Sequence, residues 1–319
     1  MLFQEDRRFA EPAVLLYTEM RYREHILGIK RYGCAMRIGT AGNTADILSR
    51  HKFSIRKKYG QNFLVDASML EKIVNAAGIG EEDRVLEIGP GLGAMTQLLA
   101  ESAGAVTAVE IDKELIPILK ETLADHDNVT IINGDIMKQD LKELCGGEKY
   151  KVVANLPYYI TTPIVMKLLE ENAAIESITI MIQKEVAQRM QTGPGSKDYG
   201  ALSLAVQYYA KPNYICTVPP ECFIPRPGVD SAVVRLDVYE KPPVETKDPQ
   251  FMFALIRAAF NQRRKTLANG LSGEASLNLS RETVQEALTE MGISEMIRGE
   301  KLTLAEYARL ADILADKRQ

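Results

Sequence analysis

Arg84-Val85-Leu86-Glu87-Ile88-Gly89-Pro90-Gly91-Leu92-Gly93 is the stretch on which the fold turns. Arg84 to Ile88 is a short apolar run of strand character, and the glycine-rich loop after it leads into helical spacing at Met95, Leu98 and Leu99. A strand, a glycine loop and a helix in this order bring backbone N–H groups to a ligand at the helix N-terminus. Glycine allows the close backbone approach that a Cβ would obstruct. The next run, Ala105 to Val109, reads as a second strand and delivers Glu110, where an acid accepts hydrogen bonds from both hydroxyls of a ribose. Loop, helix, strand and acid together form a nucleoside-binding pattern, which by itself does not choose between a dinucleotide and S-adenosylmethionine.

Working outward, the alternation continues. A helix is expected over 114–123, and strand Val129 to Ile132 delivers Asn133-Gly134-Asp135. Asp135 reads either as the acceptor of an adenine amine or as an ordinary turn aspartate. Lys151 to Ala154 is a further buried strand, followed by helices from Pro163 through Leu169, over 184–190 and over 202–209, with a strand over 175–182. Tyr214 to Val218 and Ser231 to Val238 are β-rich runs that form a hairpin-like edge. This predicts an α/β fold, a Rossmann-like doubly wound and mostly parallel sheet. Beyond the linker Lys241-Pro242-Pro243, helical spacing over 251–260, 281–291 and 304–315 predicts a small C-terminal all-helical domain. Three parts result: an extension over 1–35, the sheet domain over 36–240 and the helical domain over 241–319. Met36 is an alternative start, because the recognisable motifs follow it.

At the end of the Lys151 to Ala154 strand stands Asn155-Leu156-Pro157-Tyr158. Ligand clefts of open α/β sheets lie at such carboxyl ends. Pro157 lacks an N–H and disfavours helical geometry at Leu156, which turns the Leu156 carbonyl toward the cleft. An amide, a carbonyl and a phenol ring suit a flat, amine-bearing ring. As an isolated tetrapeptide it reads equally as a strand-ending turn with a surface tyrosine.

Composition excludes several classes. Hydrophobic residues make up 46% of the 319 residues and charged residues 26%, ordinary values for a globular protein. No apolar run approaches the ~20 residues of a membrane span, and the first residues lack a secretory signal. Four cysteines and three histidines show no metal-ligand or catalytic spacing, so no metal is expected and a reducing cytoplasm fits. A net charge of -4 requires any polyanion partner to be met by local basic patches. Two exist. Arg37 to Lys58 carries six cations against Asp46 and reads as a solvated arm or a phosphate-contacting one. Arg263-Arg264-Lys265 at a helix end reads as a dipole-compensating surface feature or an RNA phosphate clamp. Gln61 and Asn62, beside Phe63 and Leu64, read as caps of the helix that follows.

Taken jointly, these motifs carry a resemblance. Gly60-Gln61-Asn62-Phe63-Leu64, Glu87-Ile88-Gly89-Pro90-Gly91, Glu110-Ile111-Asp112, Gly134-Asp135 and Asn155-Leu156-Pro157-Tyr158 occur in that order. Phe223-Ile224-Pro225-Arg226-Pro227 with Val229-Asp230-Ser231, and Phe260 through Leu267, complete the set. From about Met36 onward the chain resembles the small-subunit (16S) ribosomal RNA adenine N6-dimethyltransferases, the KsgA/RsmA family; residues 1–35 depart from it. The resemblance implies S-adenosylmethionine as methyl donor, held at Asn62, Leu64, Gly89, Gly91, Glu110, Asp135 and Asn155. It implies two adjacent adenines near the 3′ end of 16S rRNA as target, within a pre-30S particle, and an enzyme that is cytoplasmic and monomeric when free. Asn155 and Leu156 would hold N6–H groups, with Tyr158 and Phe223 stacking on the extruded base. Arg226, Arg263, Arg264 and Lys265 are candidate RNA contacts. Three competitors remain: a large-subunit rRNA adenine methylase of the macrolide-resistance type, a non-catalytic assembly factor of this fold, and a nicotinamide-dependent oxidoreductase. The last leaves Asn155 to Tyr158 without a role.

Overall fold

The computed structural model describes residues 37–144, 146–171 and 174–317. The expected extension over 1–35 and the alternative start at Met36 lie outside the described residues. Helix α1 (Ala41–Arg50), a two-residue strand β1 (Phe63–Leu64) and helix α2 (Ala67–Ala77) lead into the alternation. It runs β2 (Arg84–Ile88), α3 (Ala94–Ser102), β3 (Ala105–Glu110), α4 (Leu115–Thr122), β4 (Val129–Asn133), a short α5 (Leu141–Leu144) and β5 (Tyr150–Asn155). Then follow α6 (Thr161–Glu170), β6 (Ile175–Gln183), α7 (Lys184–Gln191) and α8 (Ala201–Tyr209). Strands β7 (Ala210–Val218), β8 (Phe223–Ile224) and β9 (Ser231–Val238) precede the helical tail, α9 (Pro249–Asn261), α10 (Leu267–Ser272), α11 (Arg281–Glu290) and α12 (Leu304–Lys317).

Seven strands make one sheet in the order β4-β3-β2-β5-β6-β9-β7, and β1 pairs with β8 apart from it. The pairs from β4 through β6 are parallel, while β9 lies antiparallel between β6 and β7. From β2 the chain winds outward through β3 to β4, and from β5 it winds the other way. The β2/β5 boundary is therefore the switch point, where the crevice of such a sheet opens.

Alternation along the central strands assigns each face a core. Leu86, Val152, Ala154, Ile178 and Ile180 pack into one cluster. Val85, Val153, Met181 and Val233 pack into the other, as a period of two requires. All these residues are nearly or wholly buried, which explains why the strands are continuously apolar rather than alternating.

The basic segment at 37–58 is not a wholly solvated arm, because part of it folds onto the domain. It contains α1, anchored by buried Ile38, Thr44 and Ile47. Three of its cations are paired with the domain: Arg37 with Glu101 at 3.0 Å, Arg50 with Asp46 and Glu121, and Arg56 with Asp112 and Glu114. Lys52, Lys57 and Lys58 are exposed.

The helical tail does not close a core of its own. Tyr199, Leu204, Ala205 and Tyr208, from α8 and the loop before it, join Phe251, Leu255, Leu288, Tyr307 and Leu310 in one cluster. The chain from Arg37 onward gathers into one compact unit. No described helix is long and apolar enough to cross a membrane. The Tyr199 hydroxyl donates to Leu302 O at 3.0 Å in the buried seam. Tyr199→Phe strands that carbonyl and is expected to lower stability by about 1–3 kcal/mol. Denaturant titration measures it, and an unchanged midpoint would show that the seam does not depend on this bond.

Candidate active site

A cleft of about 920 Å³, counting its open mouth, lies at the carboxyl ends of β2, β3 and β5. Its walls include Asn62, Leu64, Glu87, Gly89, Gly91, Glu110, Asn155, Leu156 and Tyr158, together with Tyr59 and Ile111. The parallel register Ile88↔Ala154 sets the glycine loop and Asn155 side by side. Gly91 has φ +62°, and a Cβ there would stand 3.1 Å from the Phe63 ring, so the loop lies flat against the strap over 60–64 only because it is glycine.

Asn155 is oriented by that strap. Its Nδ2 donates to Asn62 O at 3.0 Å, which leaves Oδ1 as the free end of the amide. Asn62 Nδ2 in turn donates to Gly60 O at 3.2 Å. Leu156 N–H continues the ladder to Met181 O at 3.0 Å, while Pro157 offers no N–H and no described donor reaches the Leu156 carbonyl. Tyr158 is half-buried, and its hydroxyl lies 2.6 Å from that of the fully buried Ser231, which fixes the ring.

The floor is acidic. Glu110 Oε2 accepts from Gly91 N at 3.2 Å and Oε1 from Asp112 N at 2.8 Å, which leaves each oxygen a second lone pair. Burial raises its pKa to about 7. Glu87 is wholly buried on β2, its carboxyl oxygens have no hydrogen-bond partner, and burial, with the Glu110 charge adding, raises its pKa to about 8. Sequence reasoning quoted Glu87 within the loop motif but gave it no role; a lone acid in an apolar strand was the available signal.

Gln61 and Asn62 do not cap the helix. Asp66 does, its Oδ1 accepting from Met69 N at 3.0 Å. Gln61 instead accepts from Arg56 N at 2.8 Å and donates to buried Asp112 at 2.9 Å, tying the strap to the end of β3.

Two expected site residues lie outside the cleft walls. Asp135 Oδ1 caps the turn over 136–138, accepting from Met137 N. Phe223, expected as a stacking ring, is 2% exposed. It faces Leu64 across the β1/β8 pair and joins the core with Leu70 and Val74, so its ring braces the wall and offers no face to a base. Of the expected RNA contacts, Arg226, Arg264 and Lys265 are exposed. Arg263 is engaged internally, with Glu300 at 2.5 Å and Ser196 O at 3.1 Å. Among the described residues no cluster of three or more His, Cys, Asp or Glu could hold a metal ion.

A mostly parallel sheet with a ligand cleft at its switch point, a glycine loop and an acid at the end of β3 defines a Rossmann-like nucleoside-binding fold. A family model described as "Ribosomal RNA adenine dimethylase" matches residues 52–316, and the chain belongs to that family. A relative in Lachnoclostridium phytofermentans, named ribosomal RNA small subunit methyltransferase A, is 58% identical over 285 residues, 88% of this chain and 98% of the relative. One of the same name in Alkaliphilus metalliredigens is 53% identical over 88% of this chain and 98% of the relative. Among solved structures, a dimethyladenosine transferase from Plasmodium falciparum superposes with a TM-score of 0.64 at 27% identity, covering 77% of this chain and 95% of that one. The 23S rRNA methyltransferase ErmE gives 0.62 at 27% identity, covering 79% and 99%.

The buried acid has a pH signature. The native pKa of Glu87 lies above its value in the unfolded chain, so the native state holds the extra proton between the two values. Its contribution is full below the unfolded pKa and is lost as pH rises through about 8. Glu87→Gln removes this titration. Its melting temperature should fall less than that of the unsubstituted protein between about pH 5 and about pH 9, and parallel curves would show that Glu87 is ionised throughout.

Proposed function

We propose that this protein dimethylates N6 of two adjacent adenines near the 3′ end of 16S rRNA, within a pre-30S particle, as a cytoplasmic enzyme that is monomeric when free. The orientation of Asn155 carries this reading: its Nδ2 is bound to Asn62 O, and Oδ1 is left beside an unpartnered Leu156 carbonyl. S-adenosylmethionine is the methyl donor and supplies an electrophilic methyl group. The cleft fits such a ligand, because Gly89 and Gly91 leave the loop free of Cβ atoms at both positions and each Glu110 oxygen keeps a lone pair for a ribose hydroxyl. Asn62, Leu64, Gly89, Gly91, Glu110 and Asn155 are the residues that would hold it.

Adenine N6 is a poor nucleophile because its lone pair is delocalised into the ring. Asn155 Oδ1 and Leu156 O, as two fixed acceptors, would each take one N6–H and draw the nitrogen toward tetrahedral geometry. The lone pair then localises along the line of attack, a gain from orientation and not from proton removal. Methylation makes the nitrogen acidic, and its proton leaves to water without a general base. For the second transfer one N6–H remains to be held. Tyr158, its hydroxyl fixed by Ser231, would stack on the extruded base.

The sequence identities favour the small-subunit target over the large-subunit one, since the relatives so named stand at 58% and 53% and the 23S enzyme at 27%. We assign the helical tail over 241–319 to RNA binding, through Arg264 and Lys265 together with Arg226 on the sheet domain.

At saturating donor, Asn155→Ala should fold and lose methyl transfer to under-methylated small subunits by roughly a hundredfold or more, the scale of one preorganised polar contact. Unimpaired transfer by that variant would refute the mechanism. Replacing Arg264 and Lys265 by alanine should flatten the salt dependence of RNA binding by about one unit of slope per lost phosphate contact. An unchanged slope would make the pair a solvated surface.

A further inference from the structure

Tyr159 follows the tetrapeptide directly, yet 60% of it is exposed whereas Tyr158 is half-buried. The ring is seated against Gly60, which has φ +61°. A Cβ on Gly60 would stand 3.4 Å from both Tyr159 Cδ1 and Pro157 Cβ. The ring thus lies beside Gly60 and next in sequence to Pro157 and Tyr158, all three in the cleft wall, and most of it faces solvent. Tyr59, in the cleft wall, carries Lys58 Nζ at 4.4 Å from its ring centroid. Lys57 beside it is exposed. Neither lysine has an ion-pair partner among the described residues, although Arg37, Arg50 and Arg56 of the same segment are all paired. An open aromatic face and two unpaired cations thus border the entrance used by the target base.

A base that enters this cleft must leave its stack. Its neighbour in the strand then loses a stacking partner on that side, and exposure of that purine or pyrimidine face opposes extrusion. A rigid aromatic face at the mouth replaces what was lost, whatever the identity of the base. We propose that Tyr159 is the stacking platform for the nucleotide adjacent to the target adenine, with Lys57 and Lys58 meeting the flanking phosphates. This rests on the function proposed above and adds a second nucleotide subsite to it.

The test uses the full chain with three substitutions, Tyr159→Ala, Tyr159→Leu and Tyr159→Phe. It measures methylation of under-methylated small subunits, binding of a protein-free RNA oligonucleotide carrying the target sequence, and affinity for S-adenosylmethionine. Alanine and leucine should weaken both KM for subunits and oligonucleotide binding by roughly 5- to 150-fold, the equivalent of one base stacked on one ring. Phenylalanine should behave as the unsubstituted protein, and donor affinity should hold in all three. Tyr159→Ala should leave the salt slope of binding unchanged, while Lys57→Ala with Lys58→Ala should reduce it. Normal KM and oligonucleotide binding by Tyr159→Ala, alongside an inactive Asn155→Ala, would overturn the platform and leave the function standing. A loss confined to subunits and absent with protein-free RNA would also overturn it, because the ring would then contact a ribosomal protein. No methylation of subunits by the unsubstituted enzyme would remove the function, and the platform with it.

Discussion

The pairing of β2 with β5 is the constraint on which the site depends. One register, Ile88↔Ala154, brings the end of the glycine loop and Asn155 together. Because side chains alternate with a period of two, a slip of one residue would send Asn155 to the opposite face and put Ala154 or Leu156 in its place. The register is held from both sides by the two cores, to which Leu86 and Val152 contribute on one face and Val85 and Val153 on the other. Stability and catalytic geometry are therefore one problem at this strand pair. The acceptors stand where they do because apolar residues one and two positions earlier have no other place to go.

A second layer of control comes from outside the sheet. The segment over 56–64, which includes the strap, is fastened at two successive residues, to Asp112 through Gln61 and to Asn155 through Asn62 O. An amide has two ends of similar size, and only a hydrogen-bond partner decides which faces the substrate. The Asn62 carbonyl accepts and cannot donate, so it fixes the choice. The same strap runs through Phe63 against Gly91 and through Gly60 beneath Tyr159. Donor loop, acceptor amide and mouth are thus connected by one segment of about nine residues.

The sequence made the alternation legible because its central strands are buried on both faces, which leaves unbroken apolar runs: β2 spans Arg84–Ile88 as read, and the long helices differ by only a few residues at their ends. What it hid follows from lengths and partners. Helix α1 buries only Thr44 and Ile47, too few to set a period. Strands β1 and β8 have two residues each, and no periodicity exists over two residues. Phe223 is hard to read for that reason, since an aromatic near a site reads alike as platform or as core until its pairing with Leu64 is known. Arg263, Arg264 and Lys265 are equivalent in the chain, and only Glu300, 37 residues away, singles out the first. Gln61 went unread because a glutamine before a helix resembles a cap, whereas the helix begins after Asp66.

The acids give the site its chemical character. A reaction at an amine invites a search for a base, and two carboxylates line this cleft. Their placement argues against that role. Glu110 has both oxygens engaged by backbone N–H groups, and Glu87 is buried within β2. Each is raised in pKa mainly by desolvation, a state that disfavours their negative charge until a cation enters. Carboxylates so placed serve the cationic donor, while neutral acceptors serve the base. On the function proposed above, the division between an acidic floor and an uncharged rim would let one cleft hold the donor and orient a neutral amine at the same time.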